Sequence, residues 1–160
     1  MSTDKDLRNH LLNLLQGGHA FVPFEGAVED FPFEMAGVKP AGFDHSAWKL
    51  LEHIRITQWD IIEFSISADH VSPKWPEDHW PKEDFPASEK EWADSVESIK
   101  RDLRKMEAIV SDPATDLFAK IPHGTGQTIL REALLIAEHN AYHIGQLLML
   151  RKILGIWHPK

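Results

Sequence analysis

The sequence predicts an all-α protein, a four-helix bundle with antiparallel neighbours and a long loop between the second and third helices. Three observations predict it. Four segments carry apolar residues at the 3 and 4 spacing that lays one face of a helix against a core. Pro falls outside those segments, as does every Gly but Gly145, and no stretch alternates apolar and polar residues as a half-buried strand would. With no internal repeat, 160 residues suit one domain, residues 1–160, long enough to bury a full hydrophobic core.

Thr3 or Asp4 can cap the first helix, which carries Leu7, Leu11, Leu14 and Leu15 and is ended by Gly17-Gly18. A weaker helical piece follows from about Pro23 to Asp30, and Pro32, Gly37, Pro40 and Gly42 then read as loop. Asp44 or Ser46 opens the second long helix, Ala47 to about Ile66. Its Trp48, Leu50, Leu51, Ile54, Trp59, Ile61, Ile62 and Phe64 make it largely buried. From Asp69 to Ala87 no regular element fits, because Pro73, Pro76, Pro81 and Pro86 fall there together with Trp75 and Trp80. Ser88 with Glu91 is a capping box for the third helix, whose Trp92, Val96, Ile99, Leu103, Met106 and Val110 share one face. Asp112-Pro113 stops it, a turn carries Leu117, Phe118 and Ile121, and Gly124-Thr125-Gly126 precedes the fourth helix, Ile129 to Leu154.

Composition removes several functions. Seventeen Lys and Arg against 25 Asp and Glu give a net charge of -8, the wrong sign for a phosphate-backbone binder, so no nucleic-acid partner is expected. With no Cys there is no disulfide, no thiolate ligand and no cysteine nucleophile, and any metal site must use His, carboxylates and water. The polar amino terminus and the short run Leu11-Leu12-Asn13-Leu14-Leu15 resemble neither a signal peptide nor a spanning helix. A soluble cytoplasmic protein without membrane contact is expected.

Chemistry concentrates in His139-Asn-Ala-Tyr-His143 on the fourth helix. Residues four apart on a helix lie one above the other, so both imidazoles can reach one metal ion. Glu132 and Gln146 stand seven positions either side of His139, within about 20° of it around the helix. Zinc, nickel and iron sites rarely stop at two protein ligands, so a third is sought on a facing helix. His53 lies mid-way along the second helix, and Asp60 lies seven residues further on the same side.

Trp48-Lys-Leu-Leu-Glu-His53 on the second helix, together with Glu138-His-Asn-Ala-Tyr-His143-Ile-Gly-Gln on the fourth, resembles the DinB-like family over essentially the whole chain. The resemblance implies a four-helix bundle in which one His on the second helix and H-x-x-x-H on the fourth hold a divalent metal. Carried over by motif, the ligands are His53, His139 and His143. Zinc or nickel suits three imidazoles, with iron and manganese as further candidates. Three neutral ligands leave a coordination position open, where a bound divalent ion acts as a Lewis acid or lowers the pKa of a water. The family includes metal-dependent hydrolases and enzymes that transfer low-molecular-weight thiols, so the resemblance implies one of these on an unidentified small-molecule substrate. Its isomerase branch adds a second carboxy-terminal domain, which a chain ending just past the fourth helix is expected to lack. A noncatalytic metal-binding bundle, acting in stress response or protein interaction, is the alternative.

A zinc protease is not expected, because H-E-x-x-H requires Glu where Asn140 stands. Glu138 precedes the His instead and points about 100° away. Asp60, Glu132 and Gln146 are candidates for orienting a ligand imidazole. Trp75 and Trp80, with His70 and His79, either wall the metal mouth or anchor the loop on the bundle surface. His19 receives no role. Ala137, Ala141 and Gly145 form a small-residue seam nearly opposite the His face, and with the family's many homodimers it suggests a homodimer.

Overall fold

The structure, a computed structural model, describes residues 3–158. Among these residues five α-helices are present: α1 (Thr3–Gln16), α2 (Phe24–Val28), α3 (Ala47–Ile66), α4 (Glu89–Ser111) and α5 (Ile129–Ile153). Single 3-10 turns occupy Phe33–Met35 and Glu77–His79. Among the described residues there is no strand, only an isolated antiparallel bridge between Lys120 and Thr128. The four long helices form a bundle in which α3 and α1 each pack against both α4 and α5, while short α2 rests on α5.

The boundaries follow from local chemistry. Ser46 Oγ accepts from the Lys49 amide at 3.2 Å and opens α3, so Ser46 and not Asp44 is the cap. Ser88 Oγ accepts from the Glu91 amide at 3.1 Å, and the Glu91 carboxylate reaches back to the Ala87 amide. Thr128 Oγ1 does the same for α5 through the Arg131 amide. Gly17, at φ 70°, returns its amide to the Asn13 carbonyl and ends α1 in the left-handed conformation that glycine adopts without steric cost. The cap expected at Thr3 or Asp4 is displaced, because both residues already lie inside α1, where Asp4 pairs with Arg8 at 2.8 Å. The piece expected over Pro23 to Asp30 is shorter, Phe24–Val28, since Glu29 leaves the helical region at ψ 135°.

Two apolar clusters fill the bundle. One joins Trp48, Leu51 and Ile54 of α3 to Ile99 of α4, Leu147 and Leu150 of α5 and Phe24 of α2. The other joins Leu11 and Leu15 of α1 to Ile62, Met106, Leu117 and Ile136. Leu14, on the apolar stripe of α1 by spacing, is instead turned outward, as is Phe118 in the turn before α5. A buried polar chain crosses the bundle: Asn140 Nδ2 of α5 donates to Gln58 Oε1 of α3, and Gln58 Nε2 donates to the Ile99 carbonyl of α4, each at 2.7 Å. Along the small-residue seam Ala137 and Ala141 are half-buried, whereas Gly145 is exposed and nothing lies within 4 Å of where its Cβ would stand. Among the described residues no helix is long and apolar enough to cross a membrane.

Candidate metal centre

Mid-way along α3, His53 is buried between Leu50, Leu51 and Ile54 and faces α5. On α5 the four-residue spacing stacks His139 and His143, with ring centroids 4.5 Å apart. The three imidazoles meet. One nitrogen from each of His53, His139 and His143 lies within 4.8 Å of the other two. His53 Nε2 and His139 Nε2 are 3.1 Å apart, a distance at which two lone pairs need a proton or a cation between them. Two ligands of a tetrahedral zinc ion at about 2.05 Å would stand about 3.3 Å apart, so the donor set fits a divalent metal.

Two of the rings are held from their other side. His53 Nδ1 donates to the His79 carbonyl at 2.7 Å, and His143 Nδ1 donates to Gln146 Oε1 at 2.6 Å. A proton held on Nδ1 leaves the Nε2 lone pair free, the arrangement that metal-binding histidines need. His139 Nδ1 and the neighbouring Asn140 Oδ1 are both buried and without a hydrogen-bond partner of good geometry. The Asn140 carboxamide nevertheless favours a proton on the His139 ring.

Burial keeps all three rings neutral at pH 7. It pushes His53 down to about 4, opposed by the His79 carbonyl and reinforced by the neighbouring imidazoles. It pushes His139 down to about 3, with His143 and His53 adding to the shift. His143 is lowered by burial, against the pull of Gln146. Protons therefore compete with a metal for His53 and His139 only well below the usual histidine range, and burial shifts His143 in the same direction.

The loop between α3 and α4 closes over this cluster. Trp80 stacks flat on His53, centroids 3.8 Å apart and planes 3° from parallel, and its other face carries His45 at 4.0 Å. Trp75 stands 6.3 Å from His53 and remains 66% exposed. Of the two tryptophans Trp80 is thus the wall and Trp75 the rim. His45, unremarked in the sequence, faces a cleft of about 410 Å³ shared with Asp44, Leu50, Tyr142 and Gln146. Burial lowers the pKa of His45, and its Nδ1 has no partner. The HxxxH spacing and the motif around His53 mark the site in sequence, and a lone loop histidine carries no such signal.

Other candidates fall away from the cluster. Asp60 binds His70 and His79 instead of facing the three imidazoles. Glu132, buried, pairs with Arg131 at 2.7 Å. Glu138 and His19 are exposed, and only Gln146 of the expected orienting side chains touches a ligand imidazole directly.

A family model described as the DinB superfamily matches residues 23–147. No curated protein and no solved structure matches the chain. The matched span runs from α2 into α5 and takes in all three histidines, and the chain belongs to the DinB superfamily.

Proposed function

We propose that this member of the DinB superfamily is a divalent-metal-dependent enzyme acting on a small molecule, either a hydrolase or a transferase of low-molecular-weight thiols, with His53, His139 and His143 as the ligands. One observation carries the reading. Three neutral imidazoles converge and, among the described residues, no fourth His, Cys, Asp or Glu joins the group, so solvent or substrate would complete the coordination shell. The ion would supply Lewis-acid chemistry and acidify a water or thiol at that position. The protein's own side chains account for the rest. Gln146 and the His79 carbonyl hold two ligand rings in the metal-binding tautomer, and Trp80 excludes water from one face of His53. His45, Tyr142 and Gln146 line the adjoining cleft, where a neutral imidazole can take or return a proton.

Cobalt substitution tests the open position. The visible spectrum of the cobalt protein is expected to change when azide or 2-mercaptoethanol is added, because an exchangeable ligand alters the coordination of the ion. A spectrum indifferent to both would favour the noncatalytic metal-binding bundle. A panel of ester, amide and thiol-transfer substrates then separates the two chemistries.

We also propose a homodimer across the α5 seam, supported by the uncovered Gly145 beside exposed Leu134, Tyr142 and Met149. A two-fold interface there would bury more than about 1,000 Å² in total. Light scattering should give twice the chain mass for the wild type and the monomer for Gly145→Leu. A monomeric wild type at micromolar concentration would rule the dimer out.

A further inference from the structure

Asp60 turns away from the three imidazoles and lies largely out of solvent. Its carboxylate is 14% exposed, and it accepts from His70 Nε2 at 2.7 Å and faces His79 Nε2 at 3.5 Å, with both rings themselves over nine-tenths buried. His70 also packs its edge against Trp59 at 5.1 Å. These two histidines belong to the loop that leaves α3 at Ser67 and doubles back along it, so a single carboxylate ties two points of that loop to the helix it came from.

What that loop segment carries gives the tie its meaning. Residue 79 supplies the carbonyl that accepts from His53 Nδ1 at 2.7 Å, and residue 80 supplies the indole stacked on the same imidazole. Adjacent residues therefore set both the tautomer and the plane of His53. Asp60 stands two helical turns beyond His53 on one face of α3, so the loop bridges two side chains of a single rigid element.

We propose that Asp60 is a positioning residue for the metal centre: through His79 it fixes the carbonyl and the indole that hold His53 with Nε2 directed at the ion. The inference rests on the three-histidine reading but makes a separate claim. A carboxylate suits the task because one oxygen accepts from His70 Nε2 while the other faces His79 Nε2 at 3.5 Å, so each ring meets an acceptor. An amide offers one acceptor, and its NH2 would confront an N–H. His79 cannot escape by moving its proton to Nδ1, because that nitrogen is buried without a partner and would become an unsatisfied donor.

Asp60→Asn preserves shape and removes the second acceptor. Zinc affinity, measured by competition with a chromophoric chelator, is expected to fall at least about tenfold, the range seen when partners behind a metal ligand are removed. Leu117→Ala, in the apolar cluster away from the site, should lower thermal stability and leave zinc affinity unchanged. In chelated, metal-free protein, nitrogen-15 spectra of the imidazoles should show His53 as one Nδ1–H tautomer in the wild type and as an averaged mixture in Asp60→Asn. The inference is overturned if the tautomer is unchanged in Asp60→Asn, or if Leu117→Ala weakens zinc as much at an equal loss of thermal stability. A wild type that binds no zinc would instead defeat the three-histidine reading, and the metal-free spectra would still decide the role of Asp60.

Discussion

His143→Ala is expected to abolish stoichiometric metal binding while the helices remain. Spread over four ligands, the roughly 10 to 16 kcal/mol typical of zinc binding by small zinc domains comes to about 3 kcal/mol per ligand, a factor of about a hundred in affinity. The variant retains two ligands from different helices. The fold has independent support, because the two apolar clusters are built from residues such as Leu51, Ile54, Leu147, Met106 and Ile136, none of which binds the ion. His143 contributes ring contacts to His53 at 4.6 Å and Tyr142 at 4.9 Å, and its loss leaves Gln146 Oε1 in a half-exposed position where water can replace the imidazole. Metal per chain by plasma mass spectrometry and helicity by circular dichroism check both halves. Full metal content in the variant would mean that the site is misassigned, and collapse of helicity along with metal would make the ion structural.

The helices and the three histidines were legible because each rests on short-range regularity. Ser46 and Ser88 cap helices by contacts three residues away, and His139 and His143 share a helix face by their spacing alone. His53 was legible through its resemblance motif, and the bundle then carries it to α5. What stayed hidden depends on contacts between distant parts of the chain. Spacing sets Asp60 on the His53 side of its helix as a candidate to orient an imidazole, yet loop residues ten and nineteen positions later claim it. His45 had no periodic pattern around it and becomes notable only because Trp80 folds between it and His53. Leu14 matched the apolar face of α1 by spacing, but a stripe wider than the contact with α4 and α5 leaves its edge in solvent.

Arginine was the least legible residue type, since Arg8 and Arg151 resemble the solvated charges of helix surfaces and both are buried. Each completes the end of another helix. Arg8 donates to the carbonyls of Val110 and Asp112 at 2.8 and 2.9 Å and to Thr115 at 2.7 Å, where α4 ends. Arg151 donates to the carbonyls of Ala27 and Glu29 at 2.8 and 2.9 Å, where α2 ends. Terminal carbonyls of a helix have no intrahelical partner and carry its negative end, so a cation suits them on both counts.

Arg151→Ala is therefore expected to cost about 3 kcal/mol. Burial opposes the charge and lowers the pKa of Arg151, which offsets part of the gain from its bonds. Truncation nonetheless removes more than it relieves. It removes the donor from the buried Ala27 carbonyl, at about 1 to 3 kcal/mol for a buried acceptor left unpaired, and with it the bond to the Glu29 carbonyl at the surface. It also removes the guanidinium from between the rings of Phe31 and Trp157, 5.4 and 5.1 Å away. For a chain of this size, about 3 kcal/mol corresponds to a fall in Tm of about 6 to 12 °C. Lysine should rescue only partly, since a single ammonium cannot reproduce the planar fork that reaches two carbonyls from one nitrogen and Ile156 from the other. Zinc stoichiometry should be unchanged, because Arg151 lies two turns beyond His143 and touches none of the three imidazoles. Calorimetry of Arg151→Ala and Arg151→Lys checks the ordering, and a Tm for the alanine variant within 2 °C of wild type, on the order of the shift from a single surface change, would mean that α2 docks on α5 by its apolar contacts alone.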